Sequence, residues 1–336
     1  MDERLPARPP GAAPAGSGGV VAEGKSLWAD AGVRLLHNPA AVASAVFLLL
    51  VLALAVLAPW IAPYPYDFQD YSAVRSYPTA QHWFGTDDLG RDIFSRMLYG
   101  ARVSMTVGFL VTAIEIVVGG GLGILAGYYG GRVDMIIMRL TDIMFAFPDI
   151  LLAILILGIF GPNFFNVLLA LSLTGWPTMA RIARGQVLAL KEQEFVQAAH
   201  ALGGSDGRIM LRHILPNILS PLIVTATIGV GGVILSEATL SYLGIGIRPP
   251  QPSWGVLINQ LTPYVSTLPL LVVFPSVVLA LTVLAFNFLG DALRDALDPR
   301  LKRRVPPRRR SGRSDRTWPY GRVAGGQGGG LPGRYR

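Results

Sequence analysis

The chain has no cysteine, which excludes disulfides, thiolate metal sites and cysteine nucleophiles. Charge is nearly as scarce. Asp, Glu, Lys and Arg make up 15% of the 336 residues, where soluble domains carry about a quarter. Only four histidines occur, His37, His82, His200 and His213, and none stands at a spacing that holds a metal ion. No metal site and no catalytic residue is expected. Residues 1–31 are rich in Pro, Gly and Ala and lack the apolar core of a cleavable signal, so the first apolar run is expected to stay as a membrane anchor.

What the chain has instead is apolar residues, 51% of the total, with a mean hydropathy of +0.46. Charges are absent from 35–66 apart from His37, and from 214–236 and 249–290 altogether. A hydrocarbon core about 30 Å thick is crossed by about 20 apolar residues in a helix. The expected fold is therefore all-α and polytopic. Six spans are read near 40–58, 103–128, 134–160, 164–180, 214–235 and 269–289. The third is the least clean, since Arg139, Asp142, Pro148 and Asp149 interrupt it. In the second, Gly119, Gly123 and Gly127 recur every fourth residue and give one helix face on which another helix packs closely.

Ionisable residues inside these runs are functional suspects by default. Glu115 stands alone in the second span, and Glu237 lies at the end of the fifth. Arg139 and Asp142 are three apart on one helical face, where they can neutralise each other. A proton-coupled carrier built on Glu115 is thus one reading, against a structural carboxylate.

The net charge of +8 is localised. Residues 301–336 hold eleven Lys or Arg against Asp315 alone, which is +10 and leaves −2 for the rest. That Gly-, Pro- and Arg-rich tail lacks the apolar residues for a core and is expected to be disordered, and its few aromatics do not make a nucleic-acid surface. With six spans both termini share one side. Placing them in the cytoplasm gives twenty-three Lys or Arg inside against five outside, leaving out Arg139 within a span, the bias of a correctly oriented inner-membrane protein. The expected organisation is a disordered cytoplasmic tail (1–38), a first membrane helix (39–60), an extracytoplasmic loop (61–102), a core of five membrane helices with a cytoplasmic loop at 186–216 (103–298), and the basic tail (299–336).

Residues 19–26 read GVVAEGKS, a literal phosphate-loop string. That motif works where a strand delivers the loop and a helix receives the phosphates. The preceding PARPPGAAPAGSG forms no strand, so no nucleotide site is expected. The chain has no engine of its own.

The stretch EFVQAAHALGGSDGRIMLRHILPN (194–217) is polar and sits between apolar runs. Helix-favouring residues from about Gln186 to Leu202 precede Gly203-Gly204, which stop a helix, and Ser205 can cap a second one at Asp206. Small Ala198 and Ala199 leave room for a partner, although an amphipathic connector lying on lipid reads equally well from these residues alone.

The spacing A-A-x-x-x-G, nine residues, then H-I-L-P resembles the cytoplasmic signature loop of ABC-importer permeases, E-A-A-x-x-x-G-x9-I-x-L-P. It falls here on Gln197, Ala198, Ala199, Gly203, His213, Leu215 and Pro216. FGTDDLGRDIFSRMLYGARVS (84–104), GYYGGRVDMIIMRLTDIMFAFPDILLA (127–153), LTGWPTMARIARGQVLALKEQEFVQAAHALGGSD (173–206) and RHILPNILSPLIV (212–224) look like the dipeptide, oligopeptide and nickel branch. SEATLSYLGIGIRPPQPSWG (236–255) and LTVLAFNFLGDALRDALDPRL (281–301) are similar to its C-type subunit. The resemblance covers 38–301. Gln197 departs from the pattern's Glu, and Glu194, three residues earlier, is placed to compensate.

The resemblance implies half of a heterodimeric pore in a bacterial or archaeal cytoplasmic membrane. Its partners would be a second homologous permease, two ATPase subunits or domains, an extracytoplasmic solute-binding protein and the lipid bilayer, with no nucleic acid. The chain itself would bind no cofactor, ATP and Mg being held by the ATPase subunits. The coupling residues would be Glu194, Gln197, Ala198, Ala199, Gly203, Leu215 and Pro216. One consequence is directly measurable: the purified chain alone is expected to show no saturable ATP binding, and saturable binding lost in Lys25→Ala would overturn that reading of GVVAEGKS.

Overall fold

A computed structural model describes residues 27–297. The phosphate-loop string with Lys25 and the basic C-terminal tail lie outside the described residues. Leu27–His37 forms a helix, α1, where the sequence places the end of a disordered tail. Its Arg34 donates to the carbonyl of Ala296 (3.5 Å), one of the carbonyls left open in a last helical turn. Helix α2, Pro39–Ile61, follows at once, with Pro39 in its first turn and Asn38 accepting from the amides of Ala40 and Ala41. Its missing N–H makes proline well suited to that position.

The segment between α2 and the next long helix is pinned by charge rather than by a core. Asp87 accepts from Arg91 Nε (2.7 Å), from the Arg91 amide (3.0 Å) and from Arg96, whose other nitrogen reaches Gln260 at 2.8 Å. His82 sits against Asp92 (3.0 Å), with Asp70 at 4.0 Å on its other ring nitrogen. Hydrogen bonds from the Ser72 hydroxyl and amide hold the exposed Asp70 carboxyl below its ordinary range.

Helix α3, Ile93–Ile114, starts well before the apolar run at Val103. Asp92 caps it by accepting from Ser95 N (2.7 Å), and Ile93 and Met97 bury against Leu257, Leu261 and Leu271. The sequence reading missed this turn because Arg96 looks like a loop residue. Paired through its two terminal nitrogens with Asp87 and Gln260, it is 1% exposed. A π-helical segment, Glu115–Gly120, joins α3 to α4, Gly121–Tyr129, so that one helix runs over 37 residues. At 1.5 Å per residue it is about 55 Å long.

The third expected span is broken. Helix α5, Gly131–Phe145, and α6, Asp149–Phe160, meet at 85° across Pro148. Pro148 stands in an extended conformation, as a residue without an N–H that cannot continue the preceding helix does. Helix α7 then runs unbroken over the 28 residues Phe164–Lys191. Asp142 pairs with Arg181 of α7 (2.9 Å) and not with Arg139, while Asp134 of α5 takes Arg184 of α7 through two bonds of 2.5 and 2.6 Å. Arg184 pairs both oxygens of Asp134 at once, the fork geometry that matches guanidinium to carboxylate, whereas Arg181 reaches Asp142 through one nitrogen.

Two short helices, α8 (Glu194–Ala201) and α9 (Asp206–Ile209), precede a π-helical turn at Met210–Ile214. Helix α10, Leu215–Tyr242, continues that turn, so the helix beginning at Asp206 is also 37 residues long. After a loop come α11, Trp254–Leu261, and α12, Pro269–Leu297.

Among the described residues the structure is all-helical apart from one isolated bridge between Thr86 and Asp92. Four helices are long and apolar enough to cross a membrane: Pro39–Ile61, Ile93–Tyr129, Asp206–Tyr242 and Pro269–Leu297. The bent pair α5–α6 makes a fifth if it counts as one span.

The glycine face of α4 and the π segment lies on α7. A Cβ on Gly119 would stand 2.4 Å from the Trp176 carbonyl oxygen, on Gly123 2.3 Å from that of Ala180, and on Gly127 2.8 Å from Val187 Cβ. Gly121 faces open space. Gly123→Ala is therefore expected to lower the melting temperature in detergent, since overpacking of this kind costs about 1–3 kcal/mol, whereas Gly121→Ala leaves it unchanged. Equal melting of the two variants would refute the contact.

Candidate functional site

The polar stretch between α7 and α10 is built on the ends of the two helices that flank it. Helix α7 runs on to Lys191 instead of breaking near Gln186, and Glu192-Gln193 make the turn. The short helix is therefore 194–201, not 186–202. The long amphipathic continuation of α7 keeps its own face buried through Ala183 and Val187, which overrides any break that composition would place earlier. The chain leaves α8 through Gly203, whose φ is +79°, a left-handed conformation that glycine adopts without strain. The Gly203 amide donates to His200 O (2.9 Å) and the Gly204 amide to Ala199 O (3.0 Å), closing the helix end. Ser205 precedes α9, but its side chain makes no capping bond.

One side of this hairpin is nailed down. Val196, Ile209 and Ile214 are 1%, 0% and 0% exposed, packed with Met179, Val187, Ile218 and Leu222. Ala199 turns inward against the same cluster, so of the two alanines only Ala198 faces out. Adjacent residues on a helix point about 100° apart, and both cannot share one face. Leu215 is half-buried against the cluster and Pro216 is exposed, both already within the long helix. Pro216 does not mark the start of a span; the π turn before it lets the helix pass through.

Tyr128, at the end of α4, ties the two short helices together. Its hydroxyl donates to Asp206 Oδ1 (2.9 Å) and meets His200 Nε2 at 3.0 Å, and its ring stacks on His200 at 5.9 Å. Sequence reasoning missed Tyr128, since 72 residues separate it from His200 and no local spacing links them.

The other side is open. Glu194, Gln197, Ala198 and Gly203 are exposed, and so are Phe195 (44%), Leu202 (89%) and Leu211 (68%). Glu194 and Gln197 occupy one face of α8 three residues apart, and Gln197 reaches only the Glu192 carbonyl (3.4 Å). The site thus presents apolar side chains set among polar ones, on a base rigidly joined to α4, α7 and α10. It holds no constellation for bond chemistry, and among the described residues no three His, Cys, Asp or Glu side chains come together as a metal site requires.

Glu115 lies away from this surface. It is 8% exposed, with Oε1 seated where a Cβ on Gly175 would come within 1.7 Å. Glu237, fully buried, accepts from Ser104 Oγ and Ser241 Oγ at 2.8 Å each. The two carboxylates belong to separate neighbourhoods.

Residues 119–303 match the family described as "Binding-protein-dependent transport system inner membrane component", and 26–78 match "N-terminal TM domain of oligopeptide transport permease C". The dipeptide transport system permease protein DppC of Alkalihalophilus pseudofirmus is 44% identical over 277 residues, covering 82% of this chain and 91% of that protein. The glutathione transport system permease protein GsiD of Pectobacterium atrosepticum is 43% identical over 279 residues, covering 83% and 93%. A solved structure of the MetNI methionine ABC transporter in an inward-facing conformation aligns with 61% of this chain and 96% of its own at 20% identity, with a TM-score of 0.49.

Removing the Tyr128 hydroxyl tests the tie. Tyr128→Phe keeps the stacked ring and loses bonds worth about 1 kcal/mol, so amide hydrogen exchange across 194–209 is expected to quicken about fivefold. Unchanged exchange would show that the apolar anchor alone holds the hairpin.

Proposed function

The chain belongs to the family of binding-protein-dependent transport system inner membrane components, and on that premise we propose that it forms half of a pore importing small peptides, driven through its 192–214 hairpin. It is a permease of an ABC importer and not an enzyme. The carrier reading centred on Glu115 gives way to this one: Glu115 stands alone, and family membership supplies a different energy source.

The observation that carries the proposal is the hairpin's two-sidedness. Three buried residues, Val196, Ile209 and Ile214, fix it to the bundle, while Phe195, Leu202 and Leu211 face solvent. Large apolar side chains held out on a rigid polar protrusion fit a protein partner. In this reading Glu194, Gln197, Ala198 and Gly203 contact an ATPase subunit, with Ala199, Leu215 and Pro216 shaping the base. Movement of that subunit displaces the hairpin, and the helix that begins at Asp206 carries the displacement to its far end at Tyr242.

The rest of the assembly follows from the family. A second homologous permease completes the pore, two ATPase subunits hold ATP and Mg, and an extracytoplasmic binding protein supplies solute. Six spans with both termini cytoplasmic remain the preferred topology, because α7 is long enough to cross, about 42 Å at 1.5 Å per residue, and the Lys/Arg bias favours that orientation. The membrane is the cytoplasmic membrane of a bacterium or archaeon. The relatives' names concern a dipeptide and glutathione, and a small peptide is the solute class we assign here.

Gly203 provides the test. No atom lies within 4 Å of where its Cβ would be, yet its φ is +79°, a region that costs other residues about 1–2 kcal/mol. Gly203→Val is expected to abolish uptake in the assembled transporter while ATP hydrolysis persists, and Gly203→Asn, which tolerates that φ, to retain most of it. Normal uptake and solute-stimulated hydrolysis in Gly203→Val would sink the coupling role.

A further inference from the structure

At the end of α10 remote from the hairpin, a cavity of about 510 Å³ opens between α3, the start of α7 and the loop that follows α10. Arg102 and Arg248 border it, together with Tyr66, Tyr99, Thr106 and Phe164. Tyr66 and Tyr99 meet edge to face, with centroids 5.2 Å apart. No acidic residue lines it.

The state of these two arginines differs from that of their neighbours. Arg91 and Arg96 share Asp87, Arg91 has Asp88 at 3.9 Å as well, and Arg75 lies 4.8 Å over the Tyr264 ring. Arg102 and Arg248 are exposed and make no ion pair among the described residues. Two unneutralised guanidiniums at the mouth of a cavity with aromatic walls focus a positive field and concentrate anions there. A guanidinium fork matches a carboxylate through two parallel bonds. The volume lies within the range of small-molecule sites, about 300–1,000 Å³.

A second cavity borders the same helix. One stripe of α3 carries Arg102 and Thr106 along the first cavity and continues, a turn at a time, to Phe109 and Ala113, which line an apolar cavity of about 570 Å³ between α2, α3, α10 and α12. A cationic mouth and an apolar cavity bordered by one helix face suit a solute with a negatively charged end.

We propose that the Arg102–Arg248 cavity receives the carboxylate end of the imported solute, the guanidiniums pairing with the carboxylate and the tyrosines flanking the remainder. This rests on the peptide-import reading and on the far end of α10 being extracytoplasmic.

The chain's lack of cysteine makes Thr106→Cys a single reporter within this subunit. The assembled transporter, in neutral-lipid vesicles and without binding protein, is labelled with a small methanethiosulfonate in the presence of Ala-Ala or Ala-Ala-amide. Ala-Ala is expected to slow labelling about tenfold, the scale of hydrogen bonds to a charged group, the amide not at all. Protection is expected to vanish in Arg102→Gln/Arg248→Gln. Equal protection by the amide, or protection surviving in the double variant, overturns the proposal. Slowing that needs added ligand-free binding protein, or that anionic lipid reproduces without peptide, also overturns it and assigns the carboxylate or oxyanion to that source. A transporter that imports no peptide but is protected by benzoate through the same arginines overturns the peptide reading and upholds the cavity assignment.

Discussion

The contact on which the structure depends is the close approach of the Glu115–Tyr129 helix segment to α7. Lipid tails are as apolar as leucine, so helices in a bilayer gain little by hiding apolar surface from them and associate through tight packing. Gly119, Gly123 and Gly127 allow that packing by leaving no side chain between the two backbones, and Gly175 on the α7 side gives space to the Glu115 carboxylate. The ladder ends at Tyr128, which grips His200 and Asp206. Helix contact inside the bundle and placement of the polar hairpin outside it are therefore one feature. Widening the ladder would move the hairpin.

A second consequence lies at the other end of α10. Glu237 is 0% exposed there and accepts from two hydroxyls. Those hydroxyls are occupied in turn: Ser241 Oγ accepts from the Ile247 amide (3.0 Å), and Ser104 Oγ from the Trp254 amide (3.4 Å). A buried carboxylate is costly unless its lone pairs are met. Here meeting them fixes α3, α10, the loop after α10 and the first residue of α11 relative to one another. The helix that starts in the hairpin ends in this knot, so its two termini are both clamped, and a displacement at one end has a stiff route to the other.

Much of this was legible in the sequence. Apolar runs longer than a bilayer needs give α2, α10 and α12 with little ambiguity, and the four-residue glycine spacing identifies the face that meets α7. What stayed illegible shares a cause: it is decided by partners far along the chain. Arg96 reads as a loop residue until Asp87 and Gln260 surround it, which is why α3 starts at Ile93. Asp142 reads as the partner of Arg139 until Arg181 arrives from α7. Ala198 and Ala199 read as a pair until the helix turns one of them inward. Glu115 reads as either a proton-carrying or a structural carboxylate, and the space that Gly175 leaves for it is visible only once α7 is in place.

The hairpin's own character bears on the proposed choice between a protein-docking surface and a connector lying on lipid. An interfacial helix needs a continuous apolar stripe to sink into the acyl boundary. In α8 the inward face, Val196 with Ala199, is already consumed by the bundle. What remains outside is Phe195, Leu202 and Leu211 distributed among Glu194, Gln197, Asp206 and Arg208, all exposed. Immersing that surface in hydrocarbon would bury charges without partners, at a cost of several kcal/mol each. A protein can instead offer a pocket for Leu202 and polar groups for its neighbours, with charge depleted only at the centre of the contact. That mixture of exposed apolar and charged side chains fits the proposed docking onto a protein better than immersion in lipid.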